Sequence, residues 1–122
     1  MENINLKLKI YLEDSRDKFM GIGVLWLLRK MEQDMSLRAA ANDLGISYSK
    51  AFRMVENLES ALDMKVLDRK KGGSSRGGAS LTDFGREFIA LYDDFQRECK
   101  EIIRPRYEKF CSDLQETISR HS

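Results

Sequence analysis

Apolar and polar residues alternate strictly at the start of the chain, where Ile4, Leu6, Leu8, Ile10 and Leu12 are interleaved with Asn5, Lys7, Lys9, Tyr11 and Glu13. A period of two is that of a strand with one buried face, so a β-strand is predicted over 4–12. Asp14 to Asp17 read as a polar turn. Lys18-Phe-Met-Gly-Ile-Gly23 then reads as a short return strand whose glycines let the chain swing into a helix. From Val24 to Met31 the period changes: Leu25, Leu28 and Met31 recur at helical spacing, Leu27 widens the face, and Trp26 is placed to seat the helix on a neighbour.

The next segment carries its own start and stop signals. Ser36-Leu-Arg-Ala-Ala-Ala-Asn-Asp-Leu-Gly45 opens on a hydroxyl N-cap, sets three alanines where two helices must approach closely, and closes on a glycine suited to a left-handed cap. A second helix begins at once, with Ile46 under the turn and Ser47 as its cap. In that helix Ala51, Val55, Leu58 and Leu62 share the core face and Phe52 fills the gap towards a pair of strands. Those strands are Met64 to Arg69 and Ala79 to Leu81, paired around Lys70-Lys-Gly-Gly-Ser-Ser-Arg-Gly-Gly78, a tip with four glycines among nine residues. Thr82 caps a long helix with Phe84, Phe88, Leu91, Phe95, Cys99 and Ile102 at steps of three and four. Pro105 removes one helical hydrogen bond, so a kink or break is expected near Arg104, after which Tyr107, Phe110, Leu114 and Ile118 resume the spacing.

Helix, tight turn, helix, strand, glycine-rich loop, strand is the order of a winged helix-turn-helix. The expected class is α+β, mostly α, with an N-terminal β-hairpin and a long C-terminal helix kinked near Pro105. Residues 1–81 form the winged unit, with the wing at 64–81, and 82–122 form a helical dimerisation segment. In such a unit the second helix enters the major groove, where each base pair presents its own pattern of donors and acceptors. Arg53 is the candidate for bidentate contact with guanine, Lys50 for guanine or phosphate, and Asn57 for adenine or backbone. Ser47, Tyr48 and Ser49 on the first turn are placed at phosphates, and Ser36 and Arg38, at the start of the preceding helix, are further candidates for DNA contact. Lys70, Lys71 and Arg76 on the tip would add backbone contacts.

The chain has 122 residues with a formal net charge of +1, so bulk electrostatics do not draw it to nucleic acid and any contact must come from a local patch. Residues 36–81 hold eight Lys or Arg against five Asp or Glu, whereas 82–122 hold seven against nine. The surplus lies where the reading element would be. Cys99 and Cys111 lie twelve residues apart on a helix, roughly 18 Å, which excludes a disulfide within one chain and leaves only pairing across a dimer. They read as free thiols, and with no membrane-length apolar run and no signal-like N-terminus a cytoplasmic protein is expected. The glycine tip lacks the GK[ST] ending and following helix of a phosphate loop. With His121 the only histidine and no metal-ligand spacing, neither an enzyme nor a cofactor is expected.

The run from Ser36 through Ile46-Ser-Tyr-Ser-Lys50 to the double-glycine wing and Ala79-Ser-Leu-Thr82 resembles the N-terminal DNA-binding domain of ModE-type molybdenum-dependent regulators, itself related to the winged helix of LysR-type regulators. The Phe19-Met-Gly-Ile-Gly23 return also looks ModE-like. The resemblance implies a transcriptional regulator that binds double-stranded DNA. The stripe of Phe84, Phe88, Leu91, Phe95 and Ile102, more than so small a domain can cover, points to a homodimer interface and hence to an inverted-repeat site. ModE-type proteins carry C-terminal molybdate-binding domains, and nothing after Ile118 forms one. The resemblance therefore does not carry over sensing: a separate sensor protein, ligand-independent binding and a different signal are all consistent with it. Two other classes stay open on the sequence, a winged-helix protein-interaction module that docks on another regulator without binding DNA, and a small oxyanion-binding protein.

Overall fold

A computed structural model describes residues 4–69 and 79–122. It contains β1 (Leu12–Glu13), β2 (Lys18–Met20), α1 (Ile22–Glu32), α2 (Leu37–Leu44), α3 (Tyr48–Leu62), β3 (Leu67–Asp68), β4 (Ser80–Leu81) and α4 (Asp83–His121). The strands make two antiparallel ribbons. β1 pairs with β2 in the N-terminal hairpin, and β3 pairs with β4 at the base of the wing with Leu67 opposite Leu81.

Each predicted cap forms. Ser36 accepts from the Ala39 amide, Ser47 from Lys50 and Thr82 from Gly85, each satisfying one of the unpaired amides that every helix start leaves. Gly45 closes α2 at φ 73°, with its own amide bonded to the Asn42 carbonyl and that of Ile46 to Ala41, the two-bond closure that a left-handed residue permits. Leu27, Leu28, Ala40, Ala51, Val55, Leu58, Val66 and Ile89 are fully buried, so α1 lies at the centre with α2, α3, the wing base and the start of α4 around it.

Three expectations change. The alternation over 4–12 is real in its exposure, with Leu6, Leu8 and Ile10 half-buried, yet 4–11 pairs with no strand and only Leu12–Glu13 enters the ribbon. The segment lies instead along α4, where the Tyr92 hydroxyl donates to the Ile10 carbonyl at 2.5 Å and the Tyr107 hydroxyl to the Ile4 carbonyl at 2.8 Å. Six residues of extended chain span ~20 Å and fifteen of helix ~22 Å, so one strap matches the helix it covers. Burial holds the Tyr92 phenol above its ordinary pKa. Of the kink or break expected near Arg104, the break does not occur: α4 runs continuously from Asp83 to His121. Trp26 also departs from expectation, facing solvent at the surface of α1.

The hairpin turn is locked by Asp14, which accepts from the backbone and guanidinium of Arg16 and from the Asp17 amide. These bonds, led by the Arg16 side chain, lower the Asp14 carboxyl from 3.8 to about 2. The ion pair is therefore present at neutral pH and is lost only as pH falls through about 2.

Gly85 sits where α4 meets the wing base. A Cβ there would lie 2.7 Å from the Val66 carbonyl oxygen, which is already fixed by the Thr82 amide at 2.9 Å. Gly85→Ala is expected to destabilise the fold by about 1–3 kcal/mol, since backbone rather than a mobile side chain must move. Urea denaturation measures it, and an unchanged midpoint would refute the packing argument.

Candidate nucleic-acid interface

α3 divides cleanly by its 3.6-residue period. Ala51, Val55 and Leu58 are buried, while Ser49, Lys50, Arg53, Glu56, Asn57 and Ser60 form the exposed arc with Arg53 near its middle. Lys50 and Arg53 have no ion-pair partner among the described residues, so their charge is available to a ligand.

The predicted residues do not all share that arc. Ser47, Ser49, Lys50, Arg53 and Asn57 do, although Asn57 lies towards the N-terminal hairpin and lines a cleft there with Lys18, Phe19, Lys50 and Met54. Tyr48 turns to the α2 side, where the Arg38 guanidinium sits 4.2 Å from its ring centre. Ser36 and Ser47 use their oxygens to cap helices, which leaves each hydroxyl proton free to donate outward. Lys70, Lys71 and Arg76 lie outside the described residues.

Three charged residues are not found by the sequence reading. Arg16 reaches from the hairpin turn to the Ser60 hydroxyl at 2.8 Å, bringing a cation to the C-terminal end of the arc. Glu56 adds an acid beside Arg53. Arg69, at the end of the wing's first strand, lies 5.0 Å from the Phe52 ring centre. Helical spacing alone is enough to find Glu56, but the other two depend on tertiary packing.

The orientation of this face depends on Glu59, only 8% exposed. One carboxylate oxygen accepts the amides of Val66 and Leu67 at 2.9 and 3.1 Å, tying α3 to the wing base. Lys65 and Arg69 stand at 3.7 and 4.0 Å from the other oxygen.

A small domain that presents a capped, exposed helix after a tight turn, with a two-stranded wing beside it, is a winged helix-turn-helix. Residues 25–86 match the family model of the bacterial regulatory helix-turn-helix protein, lysR family. The chain belongs to that family. It is also similar to the DNA-binding transcriptional dual regulator ModE of Escherichia coli K12, 34% identical over 99 residues covering 79% of this chain and 38% of that protein. The transcriptional regulator ModE of Haemophilus influenzae is 29% identical over 97 residues, 80% of this chain and 37% of that one. A third relative, the molybdenum-pterin-binding protein MopB of Rhodobacter capsulatus, is 36% identical over 84 residues, 69% of this chain and 31% of its own length. The chain thus spans less than two-fifths of the length of these relatives. Among solved structures, the crystal structure of the CbnR_DBD–DNA complex has the same fold, with a TM-score of 0.51 at 21% identity, covering 78% of this chain and 99% of that one. No helix among the described residues is long and apolar enough to cross a membrane.

Removing the Glu59 carboxylate strands two buried amides. Glu59→Ala is expected to destabilise the domain by about 2–4 kcal/mol and Glu59→Gln, which keeps one acceptor oxygen, by clearly less. Equal losses for the two variants in urea titrations would show that the amides do not depend on that oxygen.

Proposed function

We propose that this protein is a sequence-specific DNA-binding transcription regulator that binds an inverted-repeat operator as a homodimer. The observation that carries the reading is the exposed arc of α3, with Arg53 at its centre, Lys50 and Ser49 beside it, and its start, capped by the Ser47 hydroxyl, exposed. Such a helix fits the major groove, and an arginine is the side chain best matched to guanine. Family membership and the ModE relatives support the same reading.

The dimer rests on α4. Leu91, Phe95 and Ile102 share one stripe and are 69%, 47% and 74% exposed, more apolar surface than a lone small domain leaves on one helix. Phe84 and Phe88 stack on each other at 6.2 Å and are partly packed against the domain's own core, so they support the interface from below. Two α4 helices packed through this stripe would hold two α3 helices on one side of the duplex, with half-sites about one turn apart or a small multiple. A sensor on a separate protein is consistent with this reading.

Selection from a random duplex pool at near-physiological salt tests the proposal. An enriched inverted repeat is expected, and no enrichment would favour a module that docks on protein instead. On the enriched duplex, Arg53→Ala is expected to cost about 1–3 kcal/mol and relax preference at one position per half-site. Binding as tight as that of the parent would remove Arg53 as the reader. Ile102→Glu should shift sedimentation from dimer to monomer while leaving the helical content intact, and an unshifted dimer would place the interface elsewhere.

A further inference from the structure

On the flank of α3 that faces α2 and the wing base, four side chains stand in the order cation, ring, ring, cation. The Arg38 guanidinium lies 4.2 Å from the Tyr48 ring centre, the Tyr48 and Phe52 centres are 6.1 Å apart with planes at 39°, and the Arg69 guanidinium lies 5.0 Å from the Phe52 centre. The rings stand one helical turn apart on α3, while α2 supplies one arginine and the end of β3 the other. Three separate pieces of chain meet in this row.

Both guanidinium groups remain exposed. Arg38 has no acidic partner among the described residues. Arg69 stands 4.0 Å from Glu59, the outer limit of an ion pair, and that carboxylate already serves two amides. A guanidinium attracted to a ring through its face keeps its N–H edge free, and that edge is what recognises a phosphate. Face and edge do not compete. Holding a long side chain in place beforehand also reduces the ordering cost of binding.

We propose that Arg69 binds the DNA backbone, and that Phe52 and Tyr48 are positioning residues that hold Arg69 and Arg38 towards the phosphates flanking the groove that α3 enters. This rests on the reading of α3 as the groove-inserted helix. The aromatic row then has a task distinct from core filling: it spaces two cations along one side of the reading helix. Contacts of this kind add affinity for every sequence and fix register without reading bases.

The test is fluorescence anisotropy with the full chain, the duplex enriched by selection and an unrelated duplex of equal length, over a series of salt concentrations. Arg69→Gln is expected to weaken both duplexes by the same factor, about five- to tenfold at low salt, and to make the salt slope shallower by about one. Phe52→Leu is expected to weaken both about two- to fivefold with sequence preference unchanged, and Phe52→Tyr to bind as the parent does. Circular dichroism melting of each variant separates these effects from loss of fold. If Arg69→Gln keeps the parent's affinity and slope, Arg69 is not a backbone contact. If Phe52→Leu and Phe52→Tyr bind alike, the ring does not position it. Should the parent bind neither duplex, the groove reading itself fails, an outcome distinct from both.

Discussion

A carboxylate that is nearly dry must be met by donors, and the Glu59 side chain meets two amides of the wing base instead of a cation at close range. That choice determines the rest of the geometry. Because Val66 and Leu67 direct their amides at α3, the Val66 carbonyl points the other way and accepts from Thr82 at 2.9 Å, and the Thr82 hydroxyl donates to the Lys65 carbonyl at 2.8 Å while capping α4 through Gly85. Helix, wing base and α4 are joined by one run of hydrogen bonds. Gly85 is required by the closeness this run imposes.

Helix starts are the most legible part of the chain. Ser36, Ser47 and Thr82 announce themselves because the N-cap bond is local: a hydroxyl three residues ahead of an amide needs nothing from the tertiary fold. Gly45 is legible for the same reason, as the left-handed residue of a two-bond closure. The alternation at 4–12 misleads because period two reports an extended chain with one covered face, not the identity of the cover. Here the cover is α4, and the backbone bonds go to two tyrosine hydroxyls rather than to a neighbouring strand. Pro105 is excluded as a helix end only by the structure, since its local cost is small beside a helix of 39 residues.

The candidate interface is legible to the extent that it is helical. Arg53, Lys50, Ser49 and Asn57 emerge from the buried positions of α3 by periodicity alone. Tyr48 belongs by sequence to the same helix turn, yet residue 48 stands well away from 53 around the helix, and its ring is covered from α2 by Arg38. Arg16 and Arg69 reach α3 from a hairpin turn and a strand end, and nothing local in the sequence reports that distance. Tertiary partners of a helix are the information that periodicity lacks.

Near neutrality of the whole chain is no obstacle to binding a polyanion, because several of its acids are paired on other helices. Asp43 takes Lys30, Asp93 takes Arg29 and Asp94 takes Arg97, all on α1, α2 or α4. Exposed pairs of this kind add little stability. Their effect lies in placement: each removes an acid from the field felt at the reading face and leaves Arg38, Lys50 and Arg53 without a competing carboxylate partner among the described residues. Glu56 stands on the exposed arc itself, and its charge beside Arg53 opposes a phosphate at that point. A base edge, which carries partial rather than full charge and can offer a cytosine amino group to Glu56, is then the better partner. On the proposed reading, affinity would arise at the flanks, where cations stand over rings, and discrimination at the centre, where an acid opposes the backbone.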